Sequence, residues 1–276
     1  MIMMKFRLTI VIVIHNNVAS ILQCLNSLKK YISKENVLVI DNFSQDQATE
    51  IIQKTFLKLT VIKNSKNLGF AVAVNQGARI AKGEYLVFLN PDTVIKKNCI
   101  EEMLRFIKKK KDAGVVGCRV LNPDGSLQPS CGSFPTISNI ILDRIPVLNK
   151  LFKTELIRQE DFYNKEQSPD WISGVFFMIR RDVFERLGGF DEKYFLYVED
   201  VDFCYRARKA GYKIYYNPKV EIIHYDMGKS KERRFFKAQQ MRKGFSIFFG
   251  KYKSAHYLFL WKIFLKIESI LKPYLR

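Results

Sequence analysis

Residues 8 to 17 read LTIVIVIHNN, an apolar run that stops at one histidine and two asparagines. The run could pass for the apolar part of a signal peptide, but it is short and breaks abruptly into polar residues. Its length and composition suit a strand buried on both faces, so we predict a first buried strand at Leu8–Ile14. No apolar run in the sequence reaches the roughly 18 residues that span a bilayer, which predicts a protein that stays on one side of a membrane.

Three more buried strands are predicted in the first third of the chain, at Val37–Ile40, Leu59–Lys63 and Tyr85–Leu89. Segments with apolar residues at helical spacing lie between the runs, and Ser44 or Asp46 could cap the second helix. Alternating strands and helices predict a parallel sheet with right-handed crossovers, hence an α/β fold. With 276 residues and 47% hydrophobic content, the chain suits one large domain or one domain with an appendage.

Asparagine or aspartate follows each of the four predicted strands, and in parallel sheets ligands bind beyond these carboxyl ends. Both residue types are also common turn and cap residues, so a single such break indicates little. Four breaks at one sheet edge favour a ligand site. Its candidate residues are His15, Asn16, Asn17, Asp41, Asn42, Asn64, Asn67, Asn90 and Asp92.

The second half of the chain is less regular. Residues 130 to 170 lack clean periodicity and predict a long excursion over the surface. Further elements are predicted as strands at Val115–Leu121 and Ile172–Ile179, a short helix opened by Asp182 and stopped by Gly188 and Gly189, a helix at Glu199–Ala210 ended by Gly211, and the strand pieces YKIYYNP and VEIIHY. The five cysteines are scattered and form no CxxC, which argues against disulfides or structural zinc and favours a reducing compartment.

Residues 188 to 212, GGFDEKYFLYVEDVDFCYRARKAGY, gather carboxylates among aromatic rings in a chain of formal net charge +19. Carboxylates beside apolar surface have unusual pKa values, so they are either held by basic partners or kept for chemistry. Asp202 lies four residues before Arg206, a spacing that indicates a helical ion pair. Asp191 is expected to turn the chain after the two glycines.

These motifs, in their order and spacing, resemble the inverting family 2 glycosyltransferases of GT-A fold, and among them the rhamnosyltransferase-like branch. The matching segments cover about residues 8 to 225 and are VIVIHNN, VLVIDNFSQD, NLGFAVAVNQG, YLVFLNPD, DWISGVFFMIRRDVFERLGGFDEKYFLYVEDVDFCYRARKAGYKIYYNP and IIHY. One departure is visible, since His15 and Asn16 stand where the family usually has Asn and Tyr. The resemblance implies a Rossmann-like, mostly parallel sheet flanked by helices.

The resemblance also implies a site for a nucleoside diphosphate sugar, formed by His15, Asn17, Asp41, Asn67, Gly69, Phe70, Asn75, Asn90 and Asp92. Asp41 would accept a hydrogen bond from the base, which favours uracil or thymine. Gly69 would let the backbone approach phosphate at a helix N-terminus. A divalent cation, Mn²⁺ or Mg²⁺, would be held by Asp92 and His224, with Asn90 in place of the first acid of the DxD motif; a lone histidine after a strand is otherwise often structural.

The family places its catalytic base in the acidic pair that opens the helix after the aromatic segment, which here assigns the base to Asp200. Glu199 would bind acceptor hydroxyls, because successive helix residues diverge by about 100° and only one can address a given hydroxyl. Trp171 and Gly174 complete the expected acceptor site, although a tryptophan there could equally be buried. Structural ion pairing of the whole cluster is the alternative.

Residues 229 to 276 carry 13 Lys or Arg against 2 Glu, interleaved with aromatic and aliphatic residues. This composition predicts a basic amphipathic helical tail on an anionic membrane surface. Nucleic-acid binding is the rival interpretation, though no nucleic acid is expected, and part of the tail could pack on the domain. The predicted division is a GT-A domain at 1–228, with a nucleotide part to about 125 and an acceptor part at 126–228, and the tail at 229–276.

The sequence therefore predicts a metal-dependent inverting glycosyltransferase that uses dTDP-rhamnose or a UDP-sugar. Its expected acceptor is a glycan or lipid-linked sugar of the cell envelope, at the cytoplasmic face of the membrane. Two alternatives are a catalytically silent nucleotide-sugar binding module and a nucleotidyltransferase. The pair Asp92 and Asp200 disfavours the first, and the lack of a glycine-rich basic loop near the first strand disfavours the second.

Overall fold

The predicted first strand is β1 (Leu8–Ile14), and all its residues are buried. In the computed structural model, which describes residues 8–31, 36–57, 59–144, 160–226 and 230–271, even-numbered residues of β1 pack into one apolar cluster and Val11 and Val13 into another on the opposite face. Burial on both faces explains why the run shows no polar alternation.

The other strands are β2 (Val37–Asp41), β3 (Thr60–Lys63), β4 (Tyr85–Leu89), β5 (Thr93–Ile95), β6 (Ala113–Leu121), β7 (Cys131–Gly132), β8 (Trp171–Ile172), β9 (Phe176–Arg180) and β10 (Lys213–His224). The helices are α1 (Val18–Leu28), α2 (Ala48–Thr55), α3 (Phe70–Ile80), α4 (Cys99–Lys109), α5 (Ile137–Arg144), α6 (Arg181–Arg186), α7 (Glu199–Lys209), α8 (Lys231–Tyr252) and α9 (Ala255–Leu271), with a 3₁₀ helix at Glu160–Asn164.

One mixed sheet has the strand order β3-β2-β1-β4-β9-β6-β10-β5. The pairs among β3, β2, β1 and β4 are parallel, as is β6 with β10. β9 runs antiparallel between β4 and β6, and β5 is antiparallel to β10. The mostly parallel α/β sheet is thus confirmed, and strands from before and after residue 125 share it.

Several local predictions are wrong. β3 is not buried, because it lies at the sheet edge with one neighbour. The predicted strand Ile172–Ile179 is broken into β8 and β9, because the chain between them bonds elsewhere: Ser173 N–H donates to Ser130 and Gly174 N–H to Asp200.

The predicted helix caps also differ. Ser44 and Asp46 do not cap α2; Ser44 accepts the Asn16 N–H, and Asp46 accepts the Val18 N–H at the start of α1. Their side chains therefore join the loops after β1 and β2 to each other. Likewise α6 begins after Arg180, and Asp182 lies in its first turn.

The tail forms α8 and α9, and it packs on the domain. Phe248, Phe249 and Trp261 are fully buried in a third apolar cluster that includes Tyr194 and Val198 of the loop before α7. The predicted boundary at residue 228 falls in residues 227–229, outside the described part of the chain, as does the stretch 145–159 of the predicted excursion. All five cysteines are free and buried.

Candidate active site

A cleft of about 590 Å³ brings together predicted site residues that lie far apart in the sequence. From the nucleotide and metal sets it is lined by Phe70, Asn90 and His224; from the acceptor and catalytic sets it is lined by Trp171, Gly174, Glu199 and Asp200. Residues from both predicted halves of the domain therefore face one space, as a transfer between two substrates requires.

The acidic pair opens α7 after two residues with left-handed backbone, Tyr197 (φ 67°) and Val198 (φ 73°). This conformation is costly for non-glycine residues, most of all for a β-branched valine. Contacts from α8 hold it: a Cβ added to Gly244 would lie 2.7 Å from a Val198 methyl and 3.0 Å from the Tyr197 carbonyl oxygen. The glycine is needed because the helix lies directly on the strained loop.

The two acids of the pair differ in their surroundings. Glu199 is buried, and its Oε2 has no hydrogen-bond partner among the described residues. Asp200 is half-buried, and its oxygens accept the N–H groups of Gly174 at 2.9 Å and Val201 at 2.8 Å.

Burial and then the charge of Asp200 raise the pKa of Glu199 well above its usual value. Burial also raises the pKa of Asp200, but the N–H donors of Gly174 and Val201 oppose this rise. Glu199 is therefore the more readily protonated of the two acids, because its Oε2 has no donor among the described residues, whereas two backbone N–H groups favour the charged form of Asp200. An ionised carboxylate with a raised pKa, open to a cleft, can accept a proton near neutral pH.

Trp171 forms part of the cleft wall and is half-buried. Its ring is fixed because Nε1–H donates to the Ser133 carbonyl at 2.8 Å. Gly174 lies beside Asp200: an added Cβ would be 3.8 Å from the Asp200 Oδ2. The sugar-stacking role of Trp171 stays a prediction.

The predicted metal ligands are in contact, since His224 Nε2 lies 3.1 Å from Asp92 Oδ1. Asn90 Nδ2 is 3.3 Å from the same nitrogen, and His224 Nδ1 is 2.6 Å from Gln128 Oε1. A glutamine oxygen accepts hydrogen bonds, so Nδ1 carries the proton, and in a neutral ring the Nε2 lone pair faces the carboxylate.

This donor set fits a divalent cation held by one imidazole nitrogen and one carboxylate oxygen, with substrate oxygens completing the coordination. Within the described residues, no group of three or more His, Cys, Asp or Glu side chains could hold a metal ion by itself.

The loops after β1 and β2 are organised by Asn42, a buried residue. Its Nδ2 donates to the Asn67 side chain at 2.9 Å and to the Gly69 carbonyl, and its own carbonyl is 3.0 Å from His15 Nδ1. Asp41 is fully buried, and its two oxygens accept from Ser44 N–H and the Thr49 hydroxyl. Its predicted base contact stays a prediction, because the carboxylate here stabilises its own loop.

A glycine is needed at position 69 for a reason other than the approach of a phosphate. Its φ is 87°, and an added Cβ would lie 2.7 Å from the Phe195 carbonyl oxygen. The same carbonyl accepts the Phe70 N–H at 2.7 Å, so a chain segment close to the acidic pair occupies the first donor of α3.

Of the nine residues predicted for the nucleotide site, Phe70 and Asn90 line the cleft, and the other seven do not: His15, Asn17, Asp41, Asn67, Gly69, Asn75 and Asp92. Asn75 is buried in α3, where its amide bonds the main chain of Phe190 on both sides at 2.9 and 3.0 Å. His15 is exposed, and Asn17 precedes α1 as its N-cap.

Sequence reasoning missed Gln128, Asn42 as an organising residue, and the α8 side chains Lys237, Met241 and Phe245 that line the cleft. Gln128 lies in the segment NPDGSLQ, residues 122–128, and Asn42 lies in DNFSQD, residues 41–46, but neither segment reveals which distant groups these side chains bond. The composition of the tail, basic and rich in aromatic residues, did not reveal which of its side chains face the cleft.

Two sequence families and several known proteins match the chain. The profile of glycosyl transferase family 2 matches residues 9–188, well over half of the chain. The chain belongs to glycosyl transferase family 2. The profile called N-terminal domain of galactosyltransferase matches residues 156–231.

Curated relatives in the family include rhamnosyltransferases. The N-acetylglucosaminyl-diphospho-decaprenol L-rhamnosyltransferase of Mycobacterium tuberculosis is 30% identical over 203 residues, which cover 69% of this chain and 66% of the relative. The chain thus spans slightly under two thirds of that protein. Rhamnosyltransferase WbbL of Escherichia coli K12 is 30% identical over 222 residues, covering 78% and 82% respectively.

Among solved structures, the mannosyltransferase PcManGT from Pyrobaculum calidifontis, in complex with GDP-Man and Mn²⁺, superposes with a TM-score of 0.61. The identity is 18%, and the match covers 88% of this chain and 64% of that one. This likeness shows the fold, which is GT-A.

Proposed function

We propose that the chain is an inverting glycosyltransferase that transfers a sugar from dTDP-rhamnose or a UDP-sugar to a lipid-linked or glycan acceptor of the cell envelope. The observation that carries the proposal is the acidic pair in the cleft, in which the N–H groups of Gly174 and Val201 bond Asp200 while burial raises the pKa of Glu199. The proposal includes the predicted division of the chain into a GT-A domain at 1–228 and a tail at 229–276.

Asp200 accepts the proton of the acceptor hydroxyl as that oxygen attacks the anomeric carbon. The protonated Glu199 can donate a hydrogen bond to a neighbouring acceptor hydroxyl. One base and no covalent nucleophile give inversion at the anomeric carbon. Gly174 N–H stabilises the charged form of the base at 2.9 Å and so limits the rise of its pKa.

The enzyme is proposed to be metal-dependent, with Mn²⁺ or Mg²⁺ held by Asp92 and His224. The cation, when bound, neutralises the charge of the leaving diphosphate. Gln128 orients the imidazole through Nδ1, which keeps Nε2 directed at Asp92. The mannosyltransferase neighbour was solved with Mn²⁺.

The acceptor and the location follow from the relatives and the tail. The mycobacterial relative is named for a diphospho-decaprenol acceptor, which supports a lipid-linked sugar as the acceptor. In the described residues, no helix has the length and apolar character to cross a membrane. We place the protein on the cytoplasmic face, with α9 on an anionic membrane surface.

One side of α9 supports this placement. Trp261 is fully buried, whereas the opposite side exposes 40 to 61% of each large apolar residue. These residues are Phe259, Leu260, Ile263, Ile267 and Ile270. The exposed Lys262 and Lys266 flank them, a combination that suits an anionic lipid surface.

The test of the proposed chemistry is Asp200→Asn. Asparagine keeps the shape and the hydrogen-bonding reach but cannot take the proton, so transfer should fall by about 10²- to 10⁴-fold. Nucleotide-sugar affinity should change by no more than a few-fold, and the melting temperature should hold. Asp226→Asn, another carboxylate in the cleft lining, is the matched control. Near wild-type single-turnover transfer by well-folded Asp200→Asn would refute the assignment and leave Glu199 as the candidate.

A further inference from the structure

α8 contributes Lys237, Ala238, Met241 and Phe245 to the cleft that holds Asp200. The tail is therefore one wall of the active site. A ligand whose hydroxyl reaches Asp200 shares a cavity with this helix, on the side formed by Trp171 and Tyr197.

Charge in the cleft is unevenly distributed. Asp143, Glu199, Asp200 and Asp226 are acidic, and Lys237 is the single Lys or Arg among the described residues that line it. Despite these acids, Lys237 forms no ion pair with any described residue. Its Nζ lies 5.6 Å from the Tyr197 ring centroid, at cation–π distance, and the side chain is otherwise exposed.

A second cation lies one helical turn earlier. Arg233 is near enough to Tyr197 that its charge counteracts the rise in the pKa of that phenol, a rise caused first by burial. Residues 233 and 237 are four apart, so they share a helix face. The helix face next to Tyr197 is therefore basic.

An exposed aromatic side chain borders this basic face. Phe236 exposes 42% of its surface and lies about 100° round the helix from Lys237. Cations at a cleft with an exposed aromatic ring beside them suit a ligand that is anionic where it meets the protein and apolar beyond.

We propose that the first turns of α8 form a subsite for the diphosphate of an isoprenoid-diphosphate-linked acceptor, with Lys237 as the residue that binds it. This inference rests on the proposed function and names the acceptor class of that site. The acceptor sugar then enters the cleft past Tyr197 toward Asp200, and the isoprenoid chain leaves along Phe236.

The experiment measures binding, so it does not depend on transfer. Titration calorimetry uses geranyl diphosphate, with the donor site first saturated by UDP or dTDP and Mn²⁺, and geraniol as the phosphate-free match. Lys237→Ala should weaken geranyl diphosphate binding by about tenfold, as for a lost hydrogen bond to a charged group. Lys237→Arg should retain binding.

Lys243→Ala is the matched control, because Lys243 is exposed on the same helix but does not line the cleft. Equal effects of the two alanine variants, or no binding of geranyl diphosphate to wild-type protein, would overturn the subsite. A third outcome would also overturn the subsite: Lys237→Ala loses binding to phosphatidylglycerol vesicles but keeps its affinity for geranyl diphosphate. Lys237 would then bind a lipid headgroup.

The two proposals fail separately. Lys237-dependent binding without sugar transfer by any pyrimidine diphosphate sugar would leave the subsite intact and remove the proposed activity. Sugar transfer together with geranyl diphosphate binding that does not depend on Lys237 would support the proposed activity and overturn the subsite.

Discussion

Lys251, near the end of α8, joins the tail to the helix that carries Asp200. Its Nζ forms ion pairs with Asp202, whose side chain has 0% exposure, and with Asp191 at 2.7 Å. Asp202 is one half-turn beyond Asp200 in α7. Lys251→Met keeps most of the apolar stem and removes the charge, so it breaks this connection without opening a large cavity.

The expected loss can be worked out bond by bond. Asp202 keeps three donors, Arg206 Nε at 2.7 Å and the hydroxyls of Tyr252 at 2.8 Å and Tyr194 at 3.1 Å. The full penalty of about 3–5 kcal/mol for an unpaired buried charge therefore does not apply. One hydrogen bond to a charged group is worth about 1.5–3 kcal/mol, and the half-exposed Asp191 pair about 0–1 kcal/mol.

We therefore expect Lys251→Met to lower the free energy of unfolding by about 2–3 kcal/mol, or Tm by about 4–12 °C for a chain of this size. Burial lowers the pKa of Lys251, but hydrogen bonds to Asp191 and Asp202 raise it on balance above 10.5. A raised lysine pKa gives stability that is present below the unfolded value and lost only above it. The difference in free energy of unfolding between wild type and Lys251→Met should thus be constant between about pH 6 and 9.

The assay is thermal unfolding of wild type, Lys251→Met and the control Lys243→Met, whose exposed lysine has no ion pair with a described residue. Transfer per folded molecule is measured on the same samples and should fall in Lys251→Met, because α7 carries Asp200. A melting temperature within about 1 °C of wild type, or an equal shift in the control, would refute the reasoning.

Three further outcomes are expected. Asp92→Ala should abolish Mn²⁺-linked donor binding, and undiminished Mn²⁺-dependent binding of UDP or dTDP in calorimetry would remove Asp92 from the metal site. The pKa of Glu199 is raised above 4.5, so the folded state holds an extra proton and loses stability as pH rises above that value. Glu199→Gln should abolish this loss in melting curves from about pH 4 to 9. An unchanged dependence of Tm on pH in the variant would contradict the prediction. Replacing Ile263 and Ile267 by Asp should release the protein from anionic vesicles without lowering Tm, whereas co-sedimentation equal to wild type would count against membrane contact through α9.

The sheet was predictable because its signal is local. Buried parallel strands are short apolar runs, and β1, β2 and β4 lie where those runs are. The break between β8 and β9 was not, because Ser173 and Gly174 leave the sheet to bond groups 43 and 26 residues away. An apolar run read in isolation does not reveal a bond that interrupts it.

The candidate site, like the sheet, was predictable only in part. Asp200 and His224 were predicted as site residues from their motifs, and both line one cleft; their roles stay predictions. The roles of Gln128 and Asn42 were not found, because an amide in a loop has the same appearance whether it faces solvent or fixes a distant side chain. The order of proton affinity between Glu199 and Asp200 also needed coordinates, since it depends on which oxygens receive N–H donors.

The tail shows why composition alone could not decide which of its residues pack on the domain. α8 meets three surroundings at once: Lys237 faces the cleft, Gly244 lies on the strained loop before α7, and Arg242 pairs with Glu268 of α9 at 2.9 Å. A helix with contacts on several sides has no single apolar stripe, so its apolar and basic residues are mixed in sequence. In the described part of the tail, α9 has the more continuous exposed apolar side, formed by Phe259, Leu260, Ile263, Ile267 and Ile270. Membrane contact and the shape of the catalytic loop therefore belong to neighbouring helices of one packed unit, and a deletion that removes α9 would also uncover Phe245, which packs on Trp261. For that reason substitutions on the exposed side of α9 test membrane contact more cleanly than truncation does.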